Sequence, residues 1–244
     1  MKQHAAVRHF DTRFRALGTA ARAAGAKAYM KSALRFHGVD AAQLRGEAVR
    51  FYATPPAREV LVADATALFA TDAFDLRSAA IALLERHEDV LAARDLPWLV
   101  ALARTGACWA HVDYLVTKVI GPILERTGDV ARWSRRWAAD DDFWVRRVAL
   151  LGQLRPLRRG AGDFALFAEL AAPMLPEREF FIRKAIGWVL REVSKRRPEL
   201  VRGFLAEHHA ACSSVTWREA IKYLPPRARY TLETMRAKAK RKPS

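Results

Sequence analysis

Cysteine is scarce: Cys108 and Cys212 are the two in 244 residues. That excludes a disulfide framework and a metal site of the usual ligand spacing, and it leads us to expect a reducing, cytoplasmic compartment. No apolar run approaches the roughly 18 residues of a membrane helix. The stretch from Met1 to Arg15 lacks the apolar core of a secretory signal. Alternating β-branched runs are absent, and most of the 12 glycines and 11 prolines fall between helical patterns, so no strand is expected. Acidic residues are few, 26 against 42 Lys+Arg, leaving a formal charge of +16. Hydrophobic residues, by contrast, make up 51%, which excludes a wholly disordered chain. The length suffices for a sizeable core.

So large a positive charge is costly to keep unless it meets a polyanion, of which nucleic acid is the commonest. The competing reading is a general Ala/Arg bias in composition. Helical periodicity is nearly continuous. Val7–Ala23 and Ala26–Phe36 read as two helices parted near Gly25. Asp40 suits the N-cap of a helix over Ala41–Tyr52, and Pro56 suits the first turn of the next. Asp72 is a candidate cap for Phe74–Glu85, and Pro97 opens another helix. Gly106–Glu125 follows, with a bend or split expected at Gly121-Pro122. Further helices are expected over Val130–Trp137, from Asp140-Asp141-Asp142 through Leu154, and over Asp163–Ala172. Glu179–Ser194, Pro198–His208 and Trp217–Leu224 complete the series. Residues 227–244 read as a basic, partly frayed tail, with Arg236–Lys242 a disordered electrostatic arm.

Similar helices recur every 35–45 residues or so, the period of HEAT-like repeats. Residues 75–84, 143–151 and 181–190 share an acidic or aromatic start, an Arg in the first turn and a small or aliphatic face. The fold class expected is therefore all-α: a right-handed superhelical solenoid of HEAT-like repeats with a basic concave face, in a single domain over 1–244. Three helices combine aromatic and charged residues. Trp109 and Asp113 are four apart, Arg146 and Arg147 are adjacent, and Lys184, Trp188 and Arg191 share a face. Cations with interleaved indoles suit nucleic acid; core tryptophans with solvated arginines are the alternative. Asp113 is the odd member. A carboxylate on a surface for polyanions makes sense where positive charge develops, as in breaking an N-glycosidic bond through an oxocarbenium-like state. Otherwise it pairs with a neighbouring Arg or caps a turn.

Several stretches resemble the AlkD-type DNA alkylation-repair glycosylases. These are Phe180–Glu192 (FFIRKAIGWVLRE), Ser213–Lys222 (SSVTWREAIK), Trp144–Leu154 (WVRRVALLGQL) and Ala107–Asp113 (ACWAHVD), with a weaker match at Ala28-Tyr29-Met30-Lys31. The resemblance runs over nearly the whole chain and is most specific around Trp188. It implies a HEAT-like superhelix with DNA in its groove. It implies hydrolytic excision of N3- and N7-alkylated purines without a metal or other cofactor. A monomer acting on double-stranded DNA, and not at a membrane, is the expected state. It maps the functional Asp onto Asp113, the two active-site tryptophans onto Trp109 and Trp188, and the phosphate-binding arginine onto Arg147. Arg146, Lys184, Arg191, Tyr29 and Lys31 are the further candidates for DNA contact. Cys108 and Ala110 depart from the family's Trp-Trp-Asp stretch, which keeps open an inactive or repurposed relative, and His111 then stands beside the site. Two other functions remain: a non-enzymatic scaffold for bent, damaged or branched DNA, and a helical-repeat protein binding an acidic partner. A thiol enzyme built on Cys108 and His111, and a membrane-surface or transit role for the basic N-terminal stretch, are weaker readings.

Overall fold

The computed structural model describes residues 4–106 and 108–241, the last two by backbone alone; Ala107 and residues 1–3 and 242–244 lie outside the described residues. Their regular structure is helical, without a strand beyond one isolated bridge between Arg35 and Ala73 among the described residues. By packing, the chain divides into two units, Met1–Thr127 and Gly128–Ser244.

Unit 1 holds α1 (Ala5–Leu17), α2 (Ala20–Met30), α3 (Ala41–Phe51), α4 (Arg58–Phe69), α5 (Phe74–Arg86), α6 (Leu96–Arg104), α7 (Trp109–Leu115) and α8 (Gly121–Thr127). The first break falls at Gly18-Thr19, not at Gly25. A Cβ on Gly18 would stand 2.0 Å from the His37 carbonyl oxygen, so only glycine admits that loop. The Thr19 hydroxyl then caps α2 by accepting from the Arg22 N–H. Asp40 caps α3 as expected, accepting from Ala42 and Gln43. Asp72 does not cap α5 with its side chain; its carbonyl accepts from the Arg35 amide at 2.9 Å. The core is built on α5, whose Leu76, Ala79, Ile81 and Leu83 pack with Phe10 and Phe14 of α1 and Leu61 and Leu68 of α4, all fully or nearly fully buried. Each such Leu, Ile or Phe side chain contributes about 1.5–3 kcal/mol.

Residues 31–40 are stitched to the start of α5. Asp75, 4% exposed, accepts the His37 amide at 2.7 Å and the Val39 amide at 3.1 Å. Helix α2 has no buried residue of its own. It is held through that loop: the Thr19 amide and the Arg22 side chain both donate to the Gly38 carbonyl.

No split appears at Gly121-Pro122. Helix α7 runs through a π-helical turn, Val116–Ile120, directly into α8. Proline inside a helix has no N–H for the carbonyl four residues back. The wider turn absorbs that loss, and the Gly121 amide reaches five residues back to the Val116 carbonyl.

Unit 2 holds α9 (Val130–Ala138), α10 (Phe143–Leu151), α11 (Leu154–Arg158), α12 (Phe164–Met174), α13 (Phe180–Ser194), α14 (Pro198–His208), α15 (Ser214–Ala220) and α16 (Pro226–Arg241). Asp142, Asp163, Glu179 and Ser213 cap α10, α12, α13 and α15 through their side chains. Helix α13 is central, burying Ile182, Ala185, Ile186, Val189 and Leu190 against α10, α12, α14 and α15. Residues 226–241 form one helix where a disordered arm was expected from Arg236 on; Lys242 and the frayed end expected beyond it lie outside the described residues. Arg236 secures it, with its guanidinium 4.4 Å from the Trp217 ring centroid and donating to the Cys212 carbonyl at 2.7 Å. No helix among the described residues is long and apolar enough to cross a membrane.

Candidate functional site

The residues singled out by sequence fall into two groups, one in each unit. In unit 1, the four-residue spacing of Trp109 and Asp113 puts both on the half-buried side of α7, while His111, Val112 and Leu115 turn into the core. Tyr29, at the end of α2, meets Trp109 edge-on with ring centroids 5.9 Å apart and remains 71% exposed. Lys31 caps α2 in the left-handed conformation (φ 50°) and is exposed. The Thr117 hydroxyl donates to the main-chain carbonyl of Asp113 at 2.7 Å, just where the π-helical turn begins.

His111 does not stand at this site. It is 1% exposed, with Nε2 3.1 Å from both Ser78 Oγ and the Phe74 carbonyl and its ring against Phe74 at 4.3 Å. Burial pushes its pKa down to about 4, so it is neutral and structural. Cys108 is buried as well. Burial pushes its thiol up, against the opposing pull of the Ala110 and His111 amides. Neither group is poised for nucleophilic chemistry.

In unit 2, Lys184, Trp188 and Arg191 line one face of α13, and Trp188 is half-buried. Gly187 lies among them at the closest approach of α15. A Cβ there would stand 2.7 Å from Glu219 Cβ and 3.1 Å from the Thr216 carbonyl oxygen. Thr216, fully buried, donates its hydroxyl to the Arg183 carbonyl at 3.0 Å. Glu219 accepts from both Lys184 and Arg191. Burial would raise its pKa, but Lys184 and Arg191 hold the carboxyl below the ordinary range. Sequence reasoning assigned Glu219 no role, although it lies within the segment Ser213–Lys222. Gly187→Ala is expected to cost about 1–3 kcal/mol, because helix backbone, not a flexible tip, must yield. Urea unfolding of the variant checks this.

The arginines of α10 are engaged within the protein. Arg146 grips Glu177 with Nε at 3.1 Å and Nη2 at 2.8 Å, and donates to the Asp140 and Asp141 carbonyls. Arg147 is 2% exposed; it donates to the Phe181 carbonyl, with its guanidinium carbon 5.9 Å from the Phe181 ring centroid. Among the described residues no group of three or more His, Cys, Asp or Glu is arranged to hold a metal ion.

The chain aligns with a predicted DNA alkylation repair enzyme from Enterococcus faecalis at 26% identity and a TM-score of 0.77, covering 86% of this chain and 97% of that one. Its fold is also that of smu.31 from Streptococcus mutans UA159, at 17% identity and a TM-score of 0.59, covering 75% and 92%. AlkD2 from Streptococcus mutans aligns at 16% identity and a TM-score of 0.59, covering 75% and 89%. No curated protein shows significant sequence similarity to it. The model of the DNA alkylation repair enzyme family matches residues 10–224. With the match running from within α1 to the end of the α15 region, the chain belongs to the DNA alkylation repair enzyme family.

Proposed function

We propose that this protein is a monofunctional DNA glycosylase that hydrolyses the N-glycosidic bond of cationic N3- and N7-alkylated purines in duplex DNA, leaving an abasic site. The observation that carries the reading is the carboxylate of the half-buried residue Asp113 one turn from Trp109, in an alkylation-repair chain of charge +16. Alkylation at N3 or N7 gives the purine a formal positive charge, so the base is already a good leaving group. As the bond from C1′ to the base nitrogen breaks, its electron pair neutralises the purine and the sugar becomes oxocarbenium-like. Asp113 stabilises that cation and orients the water whose oxygen bonds to C1′. The water's proton passes to the carboxylate and on to solvent. The indole of Trp109 and the ring of Tyr29 offer π faces to cationic base or sugar. Electrostatic stabilisation supplies the main term, so no general-acid His or lysine nucleophile is required.

Unit 2 supplies contacts to the sugar-phosphate backbone, with Trp188, Arg146, Lys184 and Arg191 the candidates; Arg147, 2% exposed and bonded to the Phe181 carbonyl, leaves that set because its guanidinium is buried away from any phosphate. The protein acts as a monomer on double-stranded DNA. Release of free base from duplexes carrying N7-methylguanine or N3-methyladenine tests the reading directly: the wild type releases base at a rate above the spontaneous one.

Cys108 and Ala110, where the family has Trp and Asp, favour a second reading as a non-enzymatic binder of bent, damaged or branched DNA. That reading expects tight, salt-sensitive binding without base release.

A further inference from the structure

Two of the cations proposed to face DNA are already held by a carboxylate. One oxygen of Glu219 accepts from Lys184 and the other from Arg191, with Trp188 between them on the same stripe of α13. The α13–α15 crossing is built to bring this about. Gly187 gives up its side chain so that the helices approach, and Thr216 fastens α15 to the Arg183 carbonyl. The three side chains retain solvent access, 40% for Lys184, 24% for Arg191 and 17% for Glu219. A negative charge beside cations meant for phosphate opposes binding, so its installation at so constrained a crossing calls for a function.

We propose that Glu219 is a specificity-determining latch, which competes with DNA phosphates for Lys184 and Arg191 and so weakens the grip on undamaged duplex. The proposal rests on the reading that the α13 face contacts DNA. Partly exposed ion pairs are worth little, so the latch yields to a well-placed phosphate. Each cation kept from phosphate removes about one unit from the slope of log affinity against log salt. A repair enzyme gains from this because its useful quantity is the ratio of lesion to non-lesion binding.

The test is binding of the full-length protein to an undamaged fluorescent duplex between 50 and 200 mM salt. Glu219→Gln is expected to bind tighter throughout, its advantage growing about tenfold from 200 to 50 mM salt as the slope steepens by about two, one for each released cation. Lys184→Ala is expected to lose more affinity in the Glu219→Gln background than in the wild type. Equal or weaker binding by Glu219→Gln with an unchanged slope, in a variant whose thermal unfolding matches the wild type, overturns the latch. A measurement on the wild type covers the case in which the variant does not fold. The Arg191 guanidinium resonances shift on adding duplex if Glu219 is exchanged for phosphate, and stay in place if the ion pair is purely structural. Base release is no part of these readings, so a chain that binds in this way without excising a base retains the latch and loses the glycosylase assignment.

Discussion

Asp113→Asn is expected to lower single-turnover release of N7-methylguanine and N3-methyladenine about 100- to 1,000-fold, the scale of losing one preorganised electrostatic contact to developing charge. The substitution keeps size and shape and removes the charge. The Thr117 hydroxyl bonds the main-chain carbonyl of residue 113, not its side chain, so that bond survives the substitution. DNA affinity is expected to stay the same or rise slightly, because a carboxylate near a polyanion repels it. Rate and affinity therefore move apart: a large fall in rate at saturating enzyme, with binding by fluorescence anisotropy undiminished. Weaker binding with the chemical step intact would assign Asp113 to DNA docking. Equal release by both proteins would move the chemistry elsewhere.

Asp75→Ala is expected to destabilise unit 1 by about 3–5 kcal/mol, the cost of removing one partner from a buried charged network. The carboxylate accepts the His37 and Val39 amides, which the alanine leaves without it, and lies 3.6 Å from His37 Nδ1. Asp11, on α1, reaches the same imidazole from its Nε2 side at 2.9 Å. Burial would raise the pKa of Asp75, but the bonds from His37 and Val39 hold it below the ordinary value. Asp11 is likewise below it; burial is opposed there by His37 and Arg15.

A carboxyl whose folded pKa is depressed stabilises fully above its unfolded value, near 3.9, and loses that contribution as pH falls through the folded one. The wild type therefore loses stability below about pH 4, and Asp75→Ala flattens that acid limb. Because α2 buries nothing and depends on the 31–40 loop, hydrogen exchange across residues 20–30 is expected to accelerate in the variant. Chemical denaturation from pH 3 to 7, with exchange measured at pH 7, checks both effects.

Much of unit 2 was legible in the sequence because its signals are local. Glu179 before an apolar 3.6-residue pattern predicts α13 to within a residue, and Asp142, Asp163 and Pro198 mark helix starts in the same way. Trp109 and Asp113 share a face because four residues make about one turn. The misses share a cause as well. Gly25 looked like a break, but the break lies at Gly18, where the His37 backbone comes within reach. By composition a disordered arm was expected from Arg236 on, but the chain is helical to Arg241, where Trp217 and the Cys212 carbonyl hold Arg236. His111 looked like a neighbour of the chemistry and is a core residue under Phe74.

The amino-acid sequence by itself determined the all-helical class, most helix boundaries, the positive charge and the pairing of Trp109 with Asp113, since propensity, capping and periodicity act over a few residues. The tertiary structure decided which charges are spent inside the protein. Arg147 is committed to Phe181, 34 residues on, Arg146 to Glu177, 31 on, and Lys184 and Arg191 to Glu219, 35 and 28 on. Those pairings follow from where helices cross, and a crossing is set by the packing of whole faces, which no short stretch of sequence contains.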